Sequence, residues 1–450
     1  MTGPGPVAIA SAAVAAAAPP GVVRPGGLPE LWHDPALIRA VALFGPLVAV
    51  LALVAAARPT ARETAAAVVA TAWNAVVLLP LNLVAIDAGW WTFHAEGAVA
   101  RGGLPVDLWL GWSLLWGALP ALLQRDLPAP LVVGVLTWLD LILMPLAAPI
   151  VRLHEAWMLG EAVGIAVGLV PAVVLAKWTL RDRRLGPRVA VQAVLAGALL
   201  LALPLYLAGM RPAPVPPVLM GIGVQVAAVL LLPGLAAARE FAVAGRGTPL
   251  PFEPPVRVVD TGPYAFVRNP MQLCVVLGYL SFALLAWDAR PLIGAVVAFA
   301  CAAGPAAAHE DERLRRSFGP AWDRYRAGVR PWLPRPRPWP GRTPAVLYVA
   351  RGCAVCAPVE GWLVRRRPTA LRVAAAEAHP RPLRRLTYES ADGLRATGIA
   401  AFGRALEHLH LGWALLGWVI GLPGVARCLG LCADAFGAGP RTTSRAAPDA

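Results

Sequence analysis

Long apolar stretches separated by short polar loops cover most of the chain before residue 309. A helix needs about 20 apolar residues to cross the hydrocarbon core of a bilayer. The pattern predicts nine membrane-spanning helices, over 37–57, 66–86, 106–123, 131–150, 156–178, 189–209, 218–238, 271–287 and 290–308. The last two are short and are joined by the polar segment Asp288-Ala289-Arg290-Pro291, so they predict a tight helical hairpin.

The pattern changes after residue 335. A proline-rich run predicts a stiff linker, and an apolar strand over 345–349 is followed by Cys353-Ala354-Val355-Cys356 and a helical pattern. Two further short strands are expected over 371–375 and 384–389, and helical periodicity over 398–436. The predicted organisation is a flexible tail (1–30), an N-terminal transmembrane bundle of unassigned role (31–180), a second membrane domain (181–335), a linker (336–343), a small α/β domain (344–440) and a flexible tail (441–450).

Composition agrees with this fold class, a polytopic α-helical membrane protein with a small α/β C-terminal domain. Of the 450 residues 58% are hydrophobic and 15% are charged, which excludes a soluble protein of this length. The net charge is +14, but Lys177 is the only lysine, a skew typical of a GC-rich coding sequence. No nucleic-acid partner is therefore expected, and membrane lipids are the expected surroundings.

The arginines of the loops alternate between the two ends of the predicted bundle. One set of loops is rich in arginine, and the positive-inside rule assigns such loops to the cytoplasm. Its members include Arg58, Arg62, Arg125, Arg181, Arg183, Arg184, Arg188, Arg239, Arg246, Arg257 and Arg268. The N-terminus is then expected outside, and the segment after residue 309 inside.

Several polar residues fall at membrane depth or near its interface, where such residues usually face a bundle interior or a cavity. They are Asn74, Asn82, Asp107, Asp140, Glu161 and Gln225. A polar substrate pocket and helix–helix hydrogen bonding are both open interpretations, and the second is favoured for the amides. Trp90 and Trp91 fit an interfacial aromatic belt.

A polar loop around Arg268 and an acidic run from Glu310 to Glu312 flank the predicted hairpin. Because a hairpin returns the chain to the same membrane face, the two segments are expected side by side at the cytosolic surface. An arginine beside carboxylates suits a zwitterionic ligand, and Tyr264 or Tyr325 can face a sulfonium. The alternative is a solvated helix face with pairs such as Glu312 and Arg316.

Two motifs in this region resemble those of the isoprenylcysteine carboxyl methyltransferase family, which takes in bacterial phospholipid-methyltransferase-like proteins. The resemblance covers roughly 190–335 and is carried by Gly262-Pro263-Tyr264, Arg268-Asn269-Pro270-Met271, Glu310-Asp311, Leu314, Phe318-Gly319, Tyr325 and Val329. It implies a membrane enzyme that uses S-adenosylmethionine, with a lipid-phase or prenylated substrate entering from the bilayer. By resemblance, one wall of the cofactor pocket holds Gly262, Tyr264, Arg268, Asn269 and Pro270, and the other holds Glu310, Asp311 and Tyr325. Arg268 and Glu310 are the expected catalytic residues.

The C-terminal segment resembles the DCC family of thioredoxin-like thiol-disulfide oxidoreductases. The resemblance covers about 344–440, through Tyr348, the two cysteines of the CxxC, Asp392-Gly393, Gly398 and the apolar region from Trp413 to Pro423. It implies that Cys353 attacks, that Cys356 resolves, and that the domain has a thiol partner. Half a zinc site with His379 or His408 is the alternative, but there is no second CxxC, so no metal is expected.

Two other functions stay open beside the methyltransferase. The first is a chain that acts chiefly as a membrane-tethered thiol oxidoreductase. The second is a non-enzymatic membrane module that keeps a vestigial cofactor fold.

Overall fold

The computed structural model of the protein describes residues 34–94, 100–350, 356–435 and 439. Within this part of the chain, eight helical segments are long and apolar enough to cross a membrane. They are Pro35–Ala57, Ala61–Asp87, Val106–Leu123, Ala129–Leu146, Trp157–Leu180, Leu185–Leu207, Pro217–Val243 and Pro291–Phe318. The remaining predicted span is a shorter apolar helix, Pro270–Ala286. The expectation of a mostly helical chain with many membrane-spanning segments is therefore confirmed.

Several of these segments are broken into consecutive helices. The elements of the membrane part are α1 (Pro35–Ala57), α2 (Ala61–Asp87), α3 (Val106–Trp116), α4 (Ala118–Leu123), α5 (Ala129–Leu146), α6 (Trp157–Gly164), α7 (Val170–Leu180), α8 (Leu185–Gly197), α9 (Leu203–Leu207), α10 (Pro217–Val243), α11 (Pro270–Ala286), α12 (Pro291–Ala303), α13 (Pro305–Phe318) and α14 (Pro320–Gly328). Single π-helical segments, Ile165–Leu169 and Ala198–Ala202, join α6 to α7 and α8 to α9. The breaks at Gly117 and at Gly304-Pro305 follow from the poor helix propensity of glycine and proline.

The hairpin expected around residue 288 is present. Helices α11 and α12 pack against each other, and Asp288 accepts a hydrogen bond from the Arg290 amide at 2.8 Å in the turn between them. Helix α13 continues α12 past Gly304, so its polar face comes back to the start of α11.

The arginine-rich loops gather at one end of the bundle. Arg62 pairs with Asp182 at 3.2 Å, and Arg125 donates to the carbonyl of Ala57 at 3.0 Å. Arg188, which is fully buried, pairs with Glu253. These contacts join segments that lie far apart in sequence.

The opposite end carries short strands. Strands β1 (Trp91–Phe93) and β4 (Val151–Leu153) pair antiparallel, and β2 (Ala100–Arg101) pairs with β3 (Leu104–Pro105). Trp91 is buried there, and its indole donates to Asn82 at 3.0 Å. The expectation that Trp91 belongs to an interfacial belt was therefore wrong, because the indole satisfies a polar side chain inside the bundle. Gln225 was also misplaced, since its side chain is exposed on α10.

The C-terminal region is a four-stranded sheet with helices. Its elements are β5 (Ala345–Val349), α15 (Cys356–Arg365), β6 (Leu371–Ala375), β7 (Thr387–Ser390), β8 (Arg395–Thr397), α16 (Ile399–Leu406), α17 (Leu411–Ile420) and α18 (Pro423–Ala433). The strand order is β6-β5-β7-β8, with β5 and β6 parallel and the other two pairs antiparallel. The three expected strands are present as β5, β6 and β7, although β7 begins at Thr387 and not at residue 384. The Asp392-Gly393 turn is present as well, whereas β8 was not expected.

The C-terminal region packs directly on the membrane part. Trp418 of α17 lies edge-on to Phe266 with ring centroids 5.8 Å apart, and both side chains are buried. The predicted linker is held in place, since the amides of Arg335 and Trp339 donate to the carbonyls of Phe266 and Ala265 at 2.9 and 2.8 Å. This stretch is therefore a docked part of the interface and not a free spacer.

Candidate functional site

The site is a cavity of about 610 Å³ between the segment after α10 and the face of α13. A volume of this size lies within the range of small-molecule and cofactor pockets. Both segments singled out in the sequence line it, with Arg268 on one side and Glu310 on the other. The helical hairpin is what brings them together.

The turn before Arg268 is shaped by a 3-10 helix, Gly262–Ala265, here called the Gly-Pro-Tyr turn. Gly262 has φ +56°, a left-handed conformation that favours glycine. A Cβ at this position would lie 3.1 Å from the carboxyl carbon of Glu240. The Glu240 carboxylate also accepts a hydrogen bond from Thr261, so a buried acid at the end of α10 supports the turn from behind.

The Arg268 loop is held through backbone contacts. The amides of Arg268 and Asn269 donate to the carbonyls of Arg330 and Pro331 at 2.9 and 3.2 Å. Because the contacts use main-chain atoms, they do not depend on the side chain of Arg330, which is exposed. The guanidinium of Arg268 is half-buried and donates to the carbonyl of Arg326 at 3.3 Å. Burial, together with the neighbouring Arg326 charge, lowers the pKa of Arg268.

Two tyrosines form the floor between the walls. The hydroxyl of Tyr325 donates to the carbonyl of Tyr264 at 2.9 Å, and both side chains are buried. The Tyr264 hydroxyl has no hydrogen-bond partner among the described residues. Burial raises the pKa of both phenols, so they stay neutral at physiological pH. Tyr264 thus offers an unused donor and acceptor to a ligand in the cavity.

The three residues of the acidic run, Glu310 to Glu312, have different surroundings. Glu310 lines the cavity, and the charges of Arg313 and Arg268 act on its carboxylate, but no described group pairs with it at contact distance. Asp311 also lines it but is engaged, since it accepts from the Trp322 indole at 2.9 Å and pairs with Arg326 at 3.1 Å. Glu312 points away and pairs with Arg316 at 2.7 Å, as the solvated-face alternative requires.

Two residues expected in the cofactor pocket lie behind the residues that line the cavity. Gly262 and Pro270 do not line the cavity. Gly262 faces Glu240 because its backbone conformation turns the chain there, and Pro270 is the buried first residue of α11. Both residues therefore lie behind the cavity lining, where they shape the loop.

Other residues that line the cavity were not expected to contact a ligand. They include Phe241, Arg257, Met271, Gln272, His309, Arg313, Leu314 and Phe318. Arg257, Arg313 and Arg326 line the cavity together with Arg268 and Glu310, so its charge is mixed but mainly positive. The apolar side chains give the cavity a hydrophobic side. Arg313 directly follows the acidic run in the sequence, but residue spacing alone did not indicate that it faces the cavity.

A buried charge network joins this site to the C-terminal region. Arg404 of α16 is 4% exposed and donates to Glu240 at 2.7 Å and to Glu407 at 3.2 Å. Around it, Arg257 pairs with Asp392, and Thr343 donates to Asp260 from its hydroxyl at 2.7 Å. In the sequence, this network is indicated only by two charged residues, Arg239 and Glu240, near the end of the apolar helix α10.

The CxxC leads into the first helix of the C-terminal region. Cys353 lies outside the described residues, and Cys356 is the first residue of α15. Strand β5 precedes them, so the expected order of strand, CxxC and helix is present.

No family model matches the chain, and the comparisons with curated proteins and with solved structures return no match.

Proposed function

We propose that this chain is an integral membrane enzyme that transfers the methyl group of S-adenosylmethionine to a lipophilic acceptor, through the cavity between Arg268 and Glu310. The observation that carries the proposal is that these two residues, from motifs on either side of a helical hairpin, line one cavity of cofactor size. The motif resemblance to the isoprenylcysteine carboxyl methyltransferase family supports it independently of the geometry.

The residues present fit such a cofactor. The Arg268 guanidinium suits the cofactor's carboxylate, and the uncommitted carboxylate of Glu310 suits an ammonium or ribose hydroxyls. The buried hydroxyl of Tyr264, which lacks a partner among the described residues, is a donor for a polar atom of the ligand. The apolar lining at Met271 and Leu314 suits the hydrocarbon of an acceptor.

The residues of the cavity align the reactants and exclude water, which supply most of the rate in methyl transfer. S-adenosylmethionine held between Arg268 and Glu310 would supply the methyl group, and the electron pair of its S–CH₃ bond would stay on sulfur as the acceptor bonds to the methyl carbon. A carboxylate acceptor needs no base, and Arg268 orients it. An amine or hydroxyl acceptor loses its proton to Glu310.

The test uses full-length protein in proteoliposomes with S-adenosylmethionine labelled on the methyl group. We expect label in the organic extract with the wild type and its loss with Glu310→Gln. The wild type is also tested in vesicles made from a broad lipid extract. If it neither binds S-adenosylmethionine nor yields labelled lipid there, the non-enzymatic membrane module is the better account.

The sheet order β6-β5-β7-β8 favours a second activity for the C-terminal region, a thioredoxin-like thiol-disulfide oxidoreductase on the cytoplasmic side. The parallel β5-β6 pair, the antiparallel β7 and β8, and a CxxC that follows β5 and ends at the first residue of α15 support this proposal. Cys353 attacks a partner disulfide as the thiolate, and Cys356 then displaces the partner thiol. Trapping of a mixed disulfide by a Cys356→Ser variant tests it, and thiols that trap no partner would contradict it.

A further inference from the structure

Two carboxyl groups meet in the interior of the N-terminal bundle. Asp140 of α5 is 0% exposed and Glu161 of α6 is 4% exposed. Both belong to segments apolar enough to span a membrane. Their side chains are within hydrogen-bond reach of each other, and Asp140 accepts a second hydrogen bond, at 2.8 Å, from the Trp112 indole. No arginine, lysine or histidine of the described chain pairs with either acid.

Two ionised carboxylates cannot form this contact, because each is only an acceptor. One oxygen of each acid, Oδ2 of Asp140 and Oε1 of Glu161, accordingly lacks a donor among the described side chains and backbone groups. Like charges in direct contact and away from water cannot both persist. The contact is satisfied when one proton lies between the two groups.

A metal cation satisfies the pair less well. Within the described residues no group of three or more histidines, cysteines or acids could hold a metal ion. Among the residues that line the cavity beside Glu161, Asn82 offers the other side-chain oxygen, and its Oδ1 already accepts the Trp91 indole at 3.0 Å. A desolvated cation needs more oxygen ligands than two carboxyl groups offer.

A small cavity lies beside Glu161. Glu161 and Asn82 line a void of about 30 Å³, which is large enough for a single water molecule. The remaining lining is mainly aromatic and aliphatic and includes Trp109, Trp112 and Trp116. A water held there contacts Glu161 and is the expected carrier of the proton.

We propose that the N-terminal bundle is a proton-binding module in which Asp140 and Glu161 share one exchangeable proton. Binding transfers one proton from water to Glu161, changes the charge of the pair from −2 to −1, and involves no electron transfer. The Trp112 indole stabilises the negative charge on Asp140, so the proton is carried by Glu161. This assigns a ligand to the part of the chain that the proposed methyl transfer does not use.

Infrared difference spectroscopy of the full-length protein in nanodiscs tests the proposal. The carbonyl stretch of a protonated carboxylic acid is separate from that of a carboxylate, and it shifts in D₂O when the proton exchanges. We expect a wild-type minus Glu161→Gln spectrum at neutral pH to contain one such exchangeable band. Asp140→Asn is the matched control, since it keeps the band of Glu161 but shifts its frequency through the lost carboxylate.

Each outcome decides the question. An exchangeable band that disappears in Glu161→Gln and is only shifted in Asp140→Asn supports the shared proton. A wild-type spectrum without the band, or one in which adding sodium removes the band, overturns the proposal in favour of two ionised acids or a cation site. A band that does not exchange in D₂O overturns the claim that the proton is exchangeable. If one variant does not yield a monodisperse protein, the wild-type spectra with and without sodium still decide between proton and cation.

Discussion

Glu310 and Glu312 lie two positions apart on α13 and face different surroundings. Glu310 lines the cavity with an uncommitted carboxylate, whereas Glu312 is more than half exposed and pairs with Arg316. Because exposed ion pairs contribute little, the two residues form a matched pair for testing ligand binding.

We expect Glu310→Gln to weaken S-adenosylmethionine binding by about tenfold or more, since a hydrogen bond to a charged group is worth about 1.5–3 kcal/mol. Glu312→Gln is expected to bind as the wild type does. Equilibrium binding to purified protein in detergent measures both. Equal losses in the two variants would contradict the assignment of Glu310 to the cofactor.

His408 is a second residue whose surroundings fix its protonation state. Its side chain is fully buried, Nδ1–H donates to the carbonyl of Thr369 at 2.7 Å, and Nε2 accepts from the Tyr388 hydroxyl at 3.0 Å. Burial, and then the nearby Arg342 charge, hold its pKa well below the usual value. The folded state therefore keeps His408 neutral.

Stability should fall on acidification because of this residue. In the unfolded chain histidine titrates near 6.5, so below that pH the unfolded state binds a proton that the folded state does not. The free energy of unfolding then drops by about 1.4 kcal/mol per pH unit until the folded-state pKa is reached. Melting of wild type and His408→Gln at pH 7.5 and at 5.5 measures this. A wild type that loses no more stability than the variant would contradict it.

At the scale of elements, the sequence predicted the apolar helices well because hydropathy is a property of each segment by itself. For helix α13, hydropathy did not predict which side chains face the cavity. Its residues read as an acidic-then-basic polar helix, and only the structure separates Glu310 and Arg313, which line the cavity, from Glu312 and Arg316, which do not. Which face turns inward depends on the angle at Gly304, and that angle is not encoded in residue spacing.

The Gly-Pro-Tyr turn can be tested as an element with two alanine substitutions. Gly262 and Gly319 have similar φ values, +56° and +50°, but a Cβ at Gly319 would meet nothing within 4 Å. Each change to alanine should cost about 1–3 kcal/mol in backbone strain. Gly262→Ala should in addition displace the turn from Glu240 and weaken S-adenosylmethionine binding several-fold.

Thermal unfolding and cofactor binding of the two glycine variants, measured together, separate strain from site geometry. Gly319→Ala is expected to lose stability while keeping its affinity. A Gly262→Ala protein that binds as tightly as Gly319→Ala would show that the turn does not position the site.

At the scale of the whole molecule, the interface between the two parts was the feature least accessible to sequence reasoning. The proline-rich segment predicted a spacer, yet its backbone is hydrogen-bonded to Ala265 and Phe266. Arg404 and Glu240 are far apart in sequence, and nothing in the local pattern of either indicates that they meet. Long-range pairing of buried charges depends on how two domains dock, which a single sequence does not reveal.

Arg404→Met tests whether the C-terminal region stabilises the site. Removing one member of a buried ion pair leaves Glu240 and Glu407 uncompensated, which typically costs about 3–5 kcal/mol. The matched control is Arg385→Met, which removes a partly exposed pair with Asp434 at 2.5 Å and should cost less than about 1 kcal/mol. We expect Arg404→Met, and not the control, to melt earlier and to bind S-adenosylmethionine more weakly. Equal behaviour of the two variants would mean that the regions are energetically independent.

The central claim is that the segments around Arg268 and Glu310 form one site for S-adenosylmethionine. Photo-crosslinking of the labelled cofactor to the full-length protein, followed by mass spectrometry of the peptides, tests it most directly. The account predicts cofactor-protected labelling in peptides from both 257–272 and 306–326. Labelling confined to the N-terminal bundle or to the C-terminal region, or labelling that excess unlabelled cofactor does not reduce, would contradict it.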